Sequence, residues 1–172
     1  MAESMDRVDA RASASVTTAW IILANKPIYP LYVWWFAGEG VLASTGTMLT
    51  APLYAAVILL ARRSGFAARL ALPIVGLVDT LFATKLFGAA SGTELFLLPC
   101  ALLAALAFGD AEARWSRGLA LTIGAIFAAS HGRFGAPLYE WSAPALVRLA
   151  EVNDYAVASL GVFIAWRFPR GP

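Results

Sequence analysis

The chain has 172 residues, 60% of them hydrophobic and only 14% charged, with a mean hydropathy of +0.70. A globular domain carries about 25% charged residues, so this composition excludes an ordinary water-facing surface and predicts an all-α polytopic membrane protein. The net charge of +2 says nothing about nucleic acid, because the basic residues are scattered between apolar runs, and no nucleic-acid partner is expected; a single cysteine, Cys100, excludes an internal disulfide or a thiolate metal cluster.

Taken in chain order, residues 1–14 (MAESMDRVDARASA) are polar and mixed in charge. They lack the apolar core of a cleavable signal and read as a mobile cytoplasmic tail. Six apolar segments follow, each near the roughly 20 residues that cross a bilayer. They are expected at Ser15–Ala37, Thr47–Ala61, Ala68–Ala89, Glu94–Phe108, Arg117–Phe134 and Ala143–Phe168. Residues 15–168 thus form one six-helix transmembrane domain, and 169–172 a short cytoplasmic tail. In the first segment the interruption NKPIYP permits a rival start, with the span proper running from Ile28 to about Ser44.

Arginine placement supports an even number of spans. With both termini inside, the inner edge collects Arg7, Arg11, Arg62, Arg63, Arg69, Arg114, Arg117, Arg167 and Arg170, leaving Arg133 and Arg148 outside. That bias follows the positive-inside rule. The Ala-, Leu- and Arg-rich style points to the inner membrane of a bacterium, with membrane lipid as the obligatory partner.

Several polar residues fall deep within these segments. Asp79 lies ten residues beyond Arg69 in the third, about half a bilayer core at 1.5 Å per residue. Lys85 has a stem long enough to reach the outer edge. Asp79 therefore needs a partner from another helix, a ligand or a proton. Asn25 and Lys26 lie at similar depth in the first segment, where Pro27 and Pro30 free the carbonyls of Leu23 and Lys26. In the sixth, Arg148, Glu151 and Tyr155 share a helical stripe with Asp154 beside it, Asn153 lies off it, and the stripe is expected to face the bundle. Lys26 and Asp154 have opposite charges and matching depth, so they are expected to meet.

The candidate ligand site is therefore Asn25, Lys26 and Asp79 with Glu151, Asn153 and Asp154, walled by Tyr29, Tyr32 and Tyr155. Glu94, His131, Arg133, Tyr139 and Glu140 form its expected mouth. Glu94 also reads as a helix-start acid, and His131 as a loop residue at the interface.

No catalytic motif emerges. One histidine excludes a two-histidine zinc helix, no phosphate-binding loop is present, and Ser142 in APLYEWSAP has no placed base. Cys100, after Pro99, reads as inert packing. No cofactor or metal is expected.

The segments GAASGTELFLLPCALLAALAF and LAEVNDYAVASLGVFIAWRF resemble the six-helix N-terminal membrane regions of some bacterial adenylate cyclases and sensor histidine kinases. The matching residues are Gly92, Glu94, Pro99 and Asn153. The resemblance implies a non-enzymatic ligand-sensing or dimerising module working with a signalling partner; with RFPRGP as its last residues, the chain is expected to be either a free-standing relative or one cut after the sixth span. The substrate-binding subunit of a vitamin-type importer, or an assembly subunit of a larger membrane complex, are the alternatives.

Overall fold

A computed structural model describes residues 2–169, with side chains from residue 10 onward. Residues 170–172, and with them Arg170 and most of the expected C-terminal tail, lie outside the described residues, as does the side chain of Arg7. Among the described residues the chain forms eight α-helices: α1 (Ala2–Asn25), α2 (Tyr29–Ala37), α3 (Val41–Ser44), α4 (Ala51–Ala61), α5 (Gly65–Phe87), α6 (Leu97–Leu106), α7 (Ala113–Ser130) and α8 (Ala143–Arg167). The α1 helix thus extends back through the stretch read as a tail.

Local chemistry sets the boundaries. Pro27 has no N–H to continue α1, so the chain breaks over Lys26–Ile28 and restarts at Tyr29 with Pro30 in the first turn of α2. Ser64 caps α5 by accepting the Ala67 N–H at 3.2 Å, and Ser142 caps α8 by accepting that of Ala145 at 3.4 Å. Gly92 has φ 75°, and a Cβ there would sit 3.4 Å from the Ala150 backbone, so the turn before α6 can press against α8.

The α5 helix is the central element, packed by α1, α4 and α6, while α7 packs on α6 and α8 lies against α2 and α6. One apolar cluster, including Tyr54, Leu72, Leu103 and Ile164, joins α4, α5, α6 and α8. A second unites Val33, Phe87, Trp141 and Leu149, and a third joins Leu77, Cys100 and Ile123. Not all apolar residues are inside: Trp35, Leu42, Leu121 and Trp166 are 76%, 85%, 74% and 80% exposed.

The six-span reading does not hold. Among the described residues only Val41–Ala61 and Gly65–Phe87 are long and apolar enough to cross a bilayer. A third crossing arises only if Thr93–Leu106 and Asp110–Ser130, bent by 113° at their junction, count as one. The reasons are local. The α6 helix has 10 residues, about 15 Å of rise against a hydrocarbon core of about 30 Å. The first segment is broken at Lys26, and α8 carries Arg148, Glu151, Asp154 and Arg167.

With the six spans go the conclusions built on them: the inner-membrane multi-pass location, both ends placed by the arginine count, and membrane lipid as partner. The sensor, importer-subunit and membrane-assembly readings, and the homodimer or signalling partner they required, lose the same foundation. Arg69, assigned to the inner edge, is 1% exposed inside the bundle. What remains is an all-α bundle with buried polar and charged side chains tied across helices.

Candidate ligand cavity

The break between α1 and α2 places Lys26 against the middle of α5. Its Nζ lies 2.5 Å from Asp79 Oδ1, and the two side chains are 9% and 15% exposed. Asp79 is further held by α4 and the 3₁₀ turn before it. Thr50 Oγ1 donates to Oδ1 at 2.6 Å, and the Tyr54 hydroxyl donates to Oδ2 at 2.8 Å. Both carboxylate oxygens are therefore occupied, as a buried anion requires. The Lys26 ammonium also lies 5.6 Å from the centre of the Tyr54 ring, within cation–π range.

The donor side is less complete. An ammonium has three hydrogens, and among the described residues Lys26 Nζ donates only to Asp79. Burial pulls the amine below the ordinary lysine value, while the charge and hydrogen bond of Asp79 oppose that pull.

Lys26 and Asp79 line a cavity of about 880 Å³. Its inner wall is Tyr54, Leu72 and Thr80 with Cys100 and Leu103 of α6. Its outer edge runs between the end of α1 and the middle of α8, where Ile21, Ile28 and Tyr155 are exposed. Most of this lining is apolar; its charged side chains are the buried Lys26–Asp79 pair and Glu151, which is exposed.

All the residues expected at the ligand site except Asn153 and Asp154 line this cavity. Asn153, read as lying off the polar stripe, is fully buried instead. It accepts the Tyr29 hydroxyl at 3.0 Å and donates to the Ser91 carbonyl at 2.8 Å, tying α2 and the turn before α6 to α8. Its neighbours Glu151, Asp154 and Tyr155 are exposed, so the stripe is not buried in the bundle, and only Glu151 and Tyr155 of these three border the cavity. The expected partnership of Lys26 with Asp154 gives way to Lys26 with Asp79, because the helix break brings Lys26 to α5.

The expected mouth residues sit elsewhere. Glu94 is 5% exposed and its Oε2 meets His131 Nδ1 at 3.0 Å, joining the end of α7 to the turn before α6. Tyr139 packs edge-on against Trp141 with ring centres 4.7 Å apart. Arg133 and Glu140 are exposed on the loop before α8. Lys85 donates to the carbonyls of Phe134 and Ala136 at 3.0 and 2.7 Å, pinning that same loop.

Thr50 and Tyr54 are not among the site residues expected from the sequence. Their i, i+4 spacing puts two hydroxyls on one face of the chain entering α4, which was the available signal. The pairing of Arg69 with Glu112 is likewise not among the expectations from the sequence. The Arg69 guanidinium makes a two-pronged contact to Glu112 at 2.5 and 2.8 Å, donates to the Ala107 carbonyl at 2.9 Å, and lies 5.7 and 5.5 Å from the ring centres of Phe66 and Phe108.

No protein-family model, curated protein or solved structure matches the chain. The assignment of function therefore rests on the cavity and its charged pair.

Proposed function

We propose that this chain is a binding protein for a small, mainly apolar molecule that carries one oxygen acceptor. The supporting observation is the Lys26 ammonium on the wall of an apolar cavity, with Asp79 as its single hydrogen-bond partner among the described residues. The volume of about 880 Å³ lies within the range of small-molecule sites, which are typically apolar clefts with a few placed polar groups. The Lys26–Asp79 pair is neutral as a unit, so it favours a polar but uncharged end on the ligand. A carbonyl or hydroxyl oxygen accepting a Lys26 hydrogen meets that condition, and the apolar remainder fills the space toward Leu72 and Leu103.

Titration of the purified protein with 1-decanol and n-decane, followed by tryptophan fluorescence, tests this. Both should bind, and Ala156→Phe should weaken both by narrowing the cavity. Lys26→Met should weaken 1-decanol at least tenfold, as expected for a hydrogen bond to a charged group of about 1.5–3 kcal/mol, and leave n-decane little changed. Equal loss of both probes in Lys26→Met would remove the polar anchor from the reading.

A further inference from the structure

We propose that Lys26 captures apolar aldehydes covalently, as a protonated imine with Asp79 as its counter-ion. The inference rests on the binding reading above and specifies the ligand class more narrowly. A hydrogen-bond anchor alone would be served by a serine or tyrosine hydroxyl, at far lower desolvation cost than a buried ammonium. The cavity instead presents an amine, a carboxylate in direct contact with it, and two hydroxyls that hold the carboxylate in place.

Each of these parts has a place in imine formation. Asp79 Oδ1, at 2.5 Å from Nζ, accepts a proton from the Lys26 ammonium and exposes the nitrogen lone pair. That lone pair attacks the aldehyde carbon, forming the C–N bond as the carbonyl π electrons move to oxygen. Asp79 returns its proton to that oxygen. Asp79 then carries one further proton from the nitrogen to that hydroxyl, the nitrogen lone pair forms the C=N bond as the C–O bond breaks, and the resulting water leaves through the open side of the cavity. The balance is one aldehyde and one ammonium giving one protonated imine and one water, with no change of oxidation state and no net change of charge. The positive nitrogen remains beside Asp79, so the ion pair survives the reaction. Desolvation of Lys26, which pulls its amine below the ordinary value, favours the neutral nucleophile required at the start. Thr50 and Tyr54 keep the carboxylate from swinging away while the proton moves.

The sequence provides an internal control, because Lys26 and Lys85 are its only lysines. The Lys85 ammonium is spent on two loop carbonyls and has no carboxylate partner among the described residues.

The test is to incubate the whole protein with decanal, trap imines with sodium cyanoborohydride, and locate the product by peptide mass mapping. One decyl group should appear on Lys26, at least tenfold in excess of labelling at Lys85 or the amino terminus, and excess 1-decanol should suppress it. Lys26→Arg should lose the label, and Lys85→Arg should retain it. Labelling of Lys26 no greater than that of Lys85 in the unmodified protein would overturn the inference, whatever the variants do. If 1-decanol binds while decanal leaves no adduct on Lys26, covalent capture is refuted and the binding reading stands. If neither compound binds, both fall together.

Discussion

The Arg69–Glu112 and Lys26–Asp79 pairs each join a buried cation to a carboxylate, and they are built differently. Around Arg69 the two terminal nitrogens are engaged by two Glu112 oxygens and a backbone carbonyl, between the rings of Phe66 and Phe108, while the buried Nε–H faces no cavity. Around Lys26 it is the acceptor that is saturated, by Lys26, Thr50 and Tyr54, while the ammonium faces an open cavity. A closed pair of the first kind fixes the packing of α5 against the start of α7. The open pair leaves hydrogen-bonding capacity for a visitor. Burial alone therefore does not distinguish a structural charge from a functional one, and neither does an unspent donor, since Arg69 Nε also lacks a partner among the described residues; the open cavity beside Lys26 does.

The largest effect should come from breaking the closed pair. Glu112→Ala leaves a guanidinium that is 1% exposed without its anion, and removal of one partner of such a pair costs about 3–5 kcal/mol. Urea unfolding should report that loss, and a change within experimental error would mean that Arg69 reaches solvent.

Asp79→Leu should cost less, about 1.5–3 kcal/mol, the scale of a hydrogen bond to a charged group, because the cavity can admit water to the stranded Lys26. A loss as large as that of Glu112→Ala would show that the two sites are equally closed.

Pairwise replacement sharpens the contrast. Lys26→Met with Asp79→Leu should be more stable than the sum of the single variants predicts, with a coupling of roughly 0.5–3 kcal/mol in a double-mutant cycle. Apolar replacement of a whole buried pair is often neutral or stabilising. Additive losses would mean that the ion pair contributes nothing beyond its parts.

The smallest effect concerns acid. The Arg69 hydrogen bonds hold the Glu112 carboxyl below its ordinary value, assisted by the Arg69 charge. A lowered folded-state pKa adds stability that is fully present above the unfolded carboxylate value of 4.5 and is lost as pH falls through the lower folded value. Melting temperature followed downward from pH 6 should therefore fall in the acid range, and Glu112→Gln should flatten that limb. An unchanged acid limb in Glu112→Gln would place the acid sensitivity elsewhere.

The helical segments were largely legible in order and approximate position, because apolar runs punctuated by NKP, RRSG and GAASG leave few other ways to satisfy the backbone. The unpartnered state of Asp79 in the sequence was legible too, since no basic residue lies three or four positions away on its own helix. Whether a run crosses a bilayer was not legible from hydropathy alone. That depends on unbroken helix length: the NKPIYP interruption was legible, but the ten-residue length of α6 and the 113° bend beyond it appear only when the chain turns. Asn153 and Tyr155 illustrate the same limit at residue scale: one is fully buried and the other 75% exposed, two positions apart on one helix.

By itself, the sequence determined that this protein is helical, poor in charge, and obliged to find partners for isolated polar groups in apolar surroundings. Those are properties of local composition and spacing. The tertiary structure decided which groups meet: Lys26 with Asp79 rather than Asp154, Tyr29 with Asn153, Arg69 with Glu112. Partner choice depends on how separate helices turn and pack, and residues 53 and 124 positions apart carry no local signal of one another.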